Sequence, residues 1–400
     1  MRVRLVAVVA AVLLLAGCGG GGASGTDGDG VYRVLVSAGL SAQGVLAANA
    51  ETAVLAARAG VADINKAGGI GGSKVEIEVV DDAGDPSVAI TKLREATTGQ
   101  HKPDLYLSSG PSNVSSAVLP ILNREQILSF NIGPTENSAD PEQFPLNFDL
   151  SPSPKDYVEG FLPHIQQQGY GSIGVIHGNT SYGEAFGPMA RQVLSDAGIE
   201  VTGIEKYDVE GLDMTAQLSR LRDKNPDALV MDGYGPPVGY LLRSLDRLGW
   251  DVPVLGNTSV SATKLVSTEP PSGMLGTELV TNLRMQVFSS TVYSEQADKV
   301  NKMVETMTGL GEIPTTLILA YHYDALPLVA AAAEHVGSTD DATALAEALE
   351  KKEVLGKAKT VVLDSYHFTA QEHAPNVGDD VFAFVAPSKI VNGQFRGADE

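Results

Sequence analysis

Cysteine is almost absent from this chain: one, Cys18, in 400 residues. A lone thiol excludes an intramolecular disulfide framework and every multi-cysteine metal or redox motif. Basic residues are also scarce. Lys and Arg number 28 against 49 Asp and Glu, a formal net charge of −21, and they are scattered with no local patch, Lys351-Lys352 being the only adjacent pair. So acidic a surface repels phosphate backbones and argues against nucleic acid as a partner. Long apolar runs are missing from the body of the chain. The nearest approach, 317–333, is interrupted by Tyr321-His322-Tyr323-Asp324 and by Pro327. What is present suits a folded protein: 43% hydrophobic and 19% charged residues, with 43 Gly and 21 Pro. That composition supports a buried core and excludes a collagen-like or wholly disordered chain. The length points to two or three domains.

The first 18 residues read as an address. Arg2 and Arg4 form a basic start, and 5–15 is apolar throughout. The run is short of the ~20 residues that span a bilayer and matches a signal-peptide core. It ends in Leu15-Ala16-Gly17-Cys18, which resembles a bacterial lipobox, so 1–17 is expected to be removed and Cys18 lipidated. The stretch 19–30, GGGGASGTDGDG, has almost no side chain to pack and reads as a tether. The expected product is an extracytoplasmic body anchored to the bacterial cell membrane through its N-terminal lipid alone.

Beyond Tyr32, strand-like and helix-like stretches alternate. Strands are expected at 33–37, 74–80, 104–107 and 127–130, with helices at 45–66, 86–97 and 114–123. After a Pro-rich break near 145–154 the rhythm restarts, with strands at 172–176, 200–207, 228–231 and 252–255 and helices at 184–197, 215–223 and 238–248. The tail reads as helices over 315–336 and 340–351 and short strands over 354–364 and 382–386. Such alternation calls for βαβ units and parallel sheets, here an α/β protein of two lobes. In open sheets of this kind, ligands meet the loops at the carboxyl ends of strands. Those loops, 108–113, 131–135, 177–182, 232–235 and 256–259, are rich in Ser, Thr, Asn, Gly and Tyr. They suit neutral hydrogen bonding and stacking over a small ligand.

Catalytic motifs do not appear. Gly68-Gly69-Ile70-Gly71-Gly72 lies between a helix and a strand, the reverse of a phosphate loop, and reads as a turn. There is no GxxxxGK[ST] and no GxSxG, and the 7 His are dispersed outside HExxH or HxH spacing, so no metal and no cofactor is expected. His177 alone falls in a strand-end loop. Asp81-Asp82 follows a strand and reads as a turn and helix-entry feature.

Several segments together are similar to the leucine/isoleucine/valine-binding protein family, the type I periplasmic binding proteins of branched-chain amino-acid ABC transporters. They are DINKAGGIGG at 63–72 with the KVEIEVVDD strand and Asp85-Pro86, Ser109-Gly110-Pro111-Ser112, and ILSFN at 127–131. The pattern continues through IGVIH at 173–177, Tyr182-Gly183-Glu184, Asp232-Gly233-Tyr234, RSLDRLGWDVPVLGN at 243–257 and Tyr321-His322-Tyr323-Asp324-Ala325. The resemblance implies two Rossmann-like lobes with parallel sheets joined by a three-crossover hinge, lobe one being 31–149 plus 285–358 and lobe two 150–284 plus 359–400. It implies a small-molecule ligand, an ABC transporter permease as partner, a monomer and no enzymatic activity.

Carried onto this chain, the family's carboxylate-binding positions match Ser112, Asn113 and Thr135, with Gly133 supplying a backbone carbonyl to a ligand amine. Ser112 and Asn113 precede a helix whose N-terminus favours an anion. Lobe two adds Tyr182 and Tyr234. The family's ammonium-binding carboxylate falls at Asn257-Thr258-Ser259, where there is no acid. Thr258 offers a hydroxyl; Asp232 or Asp149 is left to pair an amine, or else the ligand has none. A ligand-sensing receptor of the same fold and an α/β enzyme are the competing classes.

Overall fold

The computed structural model describes residues 30–135, 137–375, 377–378 and 381–396. The leader, Cys18 and most of the tether lie outside the described residues. Strands β1 (Val31–Ala38), β2 (Lys74–Asp81), β3 (Leu105–Ser108), β4 (Leu128–Asn131) and β5 (Asn147–Asp149) form one sheet in the order β2-β1-β3-β4-β5. All of its pairings are parallel. A second sheet contains β6 (Ser172–Gly178), β7 (Glu200–Tyr207), β8 (Ala228–Met231), β9 (Val254–Gly256), β10 (Leu283–Phe288) and β11 (Phe382–Val385), in the order β11-β10-β9-β8-β6-β7. Only β11 runs antiparallel to its neighbour. Each sheet reverses its strand order beside β1 or β6, which leaves a crevice at the carboxyl ends of the strands.

The helices between strands follow from local chemistry. Pro86–Thr98 begins on Asp85, whose carboxylate accepts from the Ser87 and Val88 N–H groups, with proline preorganised in the first turn. The helix Val45–Lys66 buries an alanine-rich face against His322–Val336. Gly60 permits that approach: a Cβ there would lie 3.1 Å from the Tyr323 carbonyl oxygen. The glycine run 68–72 is a turn, with positive φ at Gly68, Gly69, Gly71 and Gly72.

Two expectations need correction. The stretch 354–364 is not a strand: Lys352–Leu355 is helical, and the β-rich run after it is caught by a buried carboxylate. Asp324 accepts from the N–H groups of Val361 (2.7 Å), Val362 (3.0 Å) and Leu363 (3.0 Å) and from the Tyr366 hydroxyl (3.1 Å). Donors spent there cannot build a ladder. The expected lobe boundaries at 284/285 and 358/359 also shift. β10 lies wholly in the second sheet, paired with β9, and the residues from Val361 to Phe368 pack into the core of the first lobe. The chain therefore passes between lobes after β5, after β10 and again between Phe368 and β11. Core residues from the helices Asp298–Leu310, His322–Val336 and Ala342–Leu349 belong to the first lobe as well.

Candidate functional site

In the first lobe, Gly133 brings two loops together. A Cβ at that position would lie 2.7 Å from the Gly110 carbonyl oxygen and 3.0 Å from the Ser112 nitrogen, so a larger residue would push them apart. The helix Ser112–Glu125 starts from Pro111 with no side-chain cap, which leaves the Ser112 hydroxyl unspent on capping. Ser112 is half-buried and Asn113 exposed at this helix start; Thr135 is half-buried, and its N–H donates to Ser138 Oγ at 2.8 Å. Ser138 in turn donates to Asp149 Oδ2 at 2.7 Å, and the Asn131 and Asn147 side-chain amides donate to Asp149 Oδ1. Asp149 thus organises the loop that follows β4 from inside the first lobe. Burial pushes its carboxyl up to about 7. His322 Nε2 lies 3.2 Å from the Ser108 carbonyl oxygen and its Nδ1 lies 3.3 Å from Ser109 Oγ, and burial lowers its pKa to about 4, so the ring there is neutral.

In the second lobe, the Thr180 hydroxyl accepts from the Gly183 N–H and caps the helix Ser181–Asp196, which carries Tyr182. Asp232, 4% exposed, follows β8. Its Oδ1 accepts from Asn257 Nδ2 at 2.8 Å, its Oδ2 from the Gly178 N–H at 3.3 Å, and its carbonyl from the Tyr207 hydroxyl at 3.1 Å. Both oxygens are engaged within the lobe. Thr258 is buried beside Tyr157, and Asn257 is fully buried. His177 is buried too, but its ring turns toward Gly187 beneath the helix rather than toward the other lobe.

These half-sites meet. Asn49, on the first-lobe helix Val45–Lys66, donates its side-chain amide to the Tyr234 hydroxyl of the second lobe. Tyr182 and Tyr234 both pack on the first-lobe core, and the helix carrying Ser112 touches the helix carrying Tyr182. Tyr157, at the crossover after β5, lies edge-on to Tyr182 (centroids 6.2 Å apart), and its hydroxyl lies 3.1 Å from that of Tyr321. Burial pushes the Tyr182 hydroxyl well up, with Asp232 adding to the effect, so it remains a proton donor. Several buried polar atoms at this junction lack a well-aligned hydrogen bond: the Tyr182 hydroxyl, which lies near Asn257, Ser151 Oγ, which lies near the Tyr157 hydroxyl, and Asn49 Oδ1, with Asn131 Oδ1 behind them.

The structure therefore assembles Tyr182, Tyr234, Asp232 and Thr258 around one seam, with Ser112, Asn113, Gly133 and Thr135 on the facing loops. Asp149 is held inside the first lobe, while Asp232 lies beside Tyr182 with its oxygens turned to Asn257 and the Gly178 N–H. Sequence reasoning missed Asn49, Ser151, Tyr157 and Tyr321. Tyr321 lies in the family-like segment 321–325 and Tyr157 in the helix that Pro154 opens at a lobe crossing, but only the packing joins them. A cavity of about 490 Å³ lies away from this seam, at the rim between Lys264, Ser267, Glu312 and Asn392, and none of the residues singled out from sequence lines it. Among the described residues, no group of three or more His, Cys, Asp or Glu is placed to hold a metal, and no helix is long and apolar enough to cross a membrane.

Two α/β lobes joined by three crossings, with facing polar loops, define a bilobal solute-binding protein. The chain belongs to the periplasmic binding protein family, whose pattern matches residues 37–377. It is 24% identical over 298 residues to a leucine-, isoleucine-, valine-, threonine- and alanine-binding protein of Pseudomonas aeruginosa, covering 70% of this chain and 72% of that one. An extracellular ligand-binding receptor from Rhodopseudomonas palustris superposes with a TM-score of 0.72 at 18% identity, over 91% of this chain and 99% of the other. A solute-binding protein of an ABC transporter from R. palustris, solved with benzoate, superposes with a TM-score of 0.64 at 15% identity, over 80% and 85% of the two chains.

Proposed function

We propose that this protein is a lipid-anchored, extracytoplasmic receptor that closes two lobes over a small polar ligand and delivers it to an ABC permease. The observation that carries the reading is the seam itself. Elements of both lobes meet there through the Asn49–Tyr234 hydrogen bond and the Tyr157, Tyr182 and Tyr321 cluster. Each lobe alone covers only part of a small molecule, so complete desolvation requires both. Ser112, Asn113, Gly133, Thr135, Tyr182, Tyr234 and Thr258 are the proposed contacts, and Asp232 supports them from behind. The relatives' names give amino acids on one side and benzoate on the other, so the family frame accommodates both amino acids and organic acids.

A screen of the mature domain against amino acids, amides and small organic acids, followed by solution scattering, tests the reading. The radius of gyration is expected to fall when a binding compound is present at saturation; an unchanged radius would count against closure. For the anchor, Cys18→Ala should abolish metabolic labelling with a fatty acid, and normal labelling of that variant would remove Cys18 from the account.

A further inference from the structure

Four carboxylates are buried among the described residues: Asp82, Asp149, Asp232 and Asp324. Each is held by donors of its own lobe. Asp82 accepts from the Ser37 hydroxyl at 2.7 Å and from the Gly84 N–H at 2.8 Å. Asp149 is held by Ser138, Asn131 and Asn147, and Asp232 by Asn257 and Gly178. Asp324 is held by three backbone N–H groups and Tyr366. Among the described residues, every buried carboxylate is thus directed at donors of its own lobe.

The polar atoms at the seam that lack a well-aligned hydrogen bond have a different character. Ser151 Oγ and the Tyr182 hydroxyl can donate, and the Tyr157 hydroxyl lies among Tyr321, Thr258 and Ser151. The acceptors, Asn49 Oδ1 and Asn131 Oδ1, are neutral amide oxygens. An ammonium group brings three N–H donors and a full charge. Desolvated against neutral oxygens alone, it loses far more than it recovers. A carboxamide oxygen instead accepts from the hydroxyls while its nitrogen satisfies the Asn oxygens without carrying charge. A carboxylate has a desolvation cost of its own, but it is met by donors, the hydroxyls and the uncapped start of the helix Ser112–Glu125.

We propose that the ligand presents a carbonyl-oxygen head, as a small carboxylic acid or carboxamide with an apolar or aromatic body, and carries no ammonium group. This rests on the two-lobe reading above and narrows its ligand class. Acid and amide share the acceptor oxygen, and the test separates them.

Calorimetry on the mature domain compares two matched series: leucine, isocaproate and isocaproamide; and phenylalanine, hydrocinnamate and hydrocinnamamide. Within each series only the head group changes. The acid or the amide is expected to bind at least tenfold more tightly than the amino acid, and the tighter of the two identifies the head. An amino acid that binds as tightly as its ammonium-free counterparts would overturn the proposal; compaction in scattering with that amino acid would leave the two-lobe reading standing. Failure of all six compounds to bind would also overturn it, and a radius unchanged across the wider panel would take the reading beneath it as well. Tyr182→Phe keeps the ring and removes one donor. It should weaken the bound acid or amide about tenfold with an unaltered circular dichroism spectrum, and unchanged affinity would remove that hydroxyl from the site.

Discussion

Asp149 shows how a single carboxyl serves the structure rather than the ligand. Its pKa of about 7 lies above the ordinary carboxylate range because burial outweighs three hydrogen bonds. Between those values the folded state keeps a proton that the unfolded chain has released. The stability Asp149 contributes is therefore full below about pH 4 and is lost as pH rises toward about 7, with a slope of up to about 1.4 kcal/mol per pH unit. Asp324, also raised to about 7, acts in the same sense, while His322, lowered to about 4, loses its contribution as pH falls below its ordinary value. Asp149→Asn is isosteric and can still accept from Asn131. Urea unfolding at pH 5 and pH 8 should show the variant losing less stability than the parent over that interval; identical slopes would contradict the assignment. Asn257 is the companion case. Asn257→Ala strands Asp232 Oδ1 in the interior and should cost about 1–3 kcal/mol in the same measurement.

At the scale of elements, caps and close approaches explain where helices start. Asp85→Ala removes an acceptor for two N–H groups and should lower stability by about 1 kcal/mol, read as a drop in the unfolding midpoint. Gly183 is a stricter constraint, since a Cβ there would lie 2.1 Å from the Gly178 carbonyl oxygen. Gly183→Ala must displace either β6 or the helix that carries Tyr182, so it is expected to lower both the thermal midpoint and the affinity for the bound compound. A variant with parental affinity would show that Tyr182 does not depend on that packing. The run 354–364 teaches the same lesson in reverse. Its Val-Val-Leu pattern favours a strand, yet its amides are taken by Asp324, a residue more than thirty positions earlier.

For the whole molecule, the hydrogen bond from Asn49 to Tyr234 is one of the polar contacts that join the two lobes. Burial pushes the Tyr234 hydroxyl up to about 12, so it is protonated at physiological pH. Tyr234→Phe keeps the ring and removes the acceptor, which should shift the population toward separated lobes. Scattering without ligand should give a larger radius of gyration than the parent, and the affinity of a compound that requires closure should fall severalfold. An unchanged radius and affinity would show that the bond does not govern closure.

The alternating strands and helices, the turn at 68–72 and the loops at strand ends could be read from the order of residues, because periodicity and turn chemistry act over a few neighbours. The same holds for the polar, hydroxyl-rich character of the facing loops. Local order could not say which sheet receives β10, because a short buried strand carries no mark of its partner. Nor could it say that Asp149 and Asp232 are turned inward. Whether a carboxylate meets a ligand or its own lobe depends on donors brought from far along the chain: Asn257 for Asp232, Ser138 and Asn131 for Asp149. Asn49, Ser151, Tyr157 and Tyr321 come together only when the crossings fold the lobes onto each other, because their proximity is a property of packing rather than of spacing.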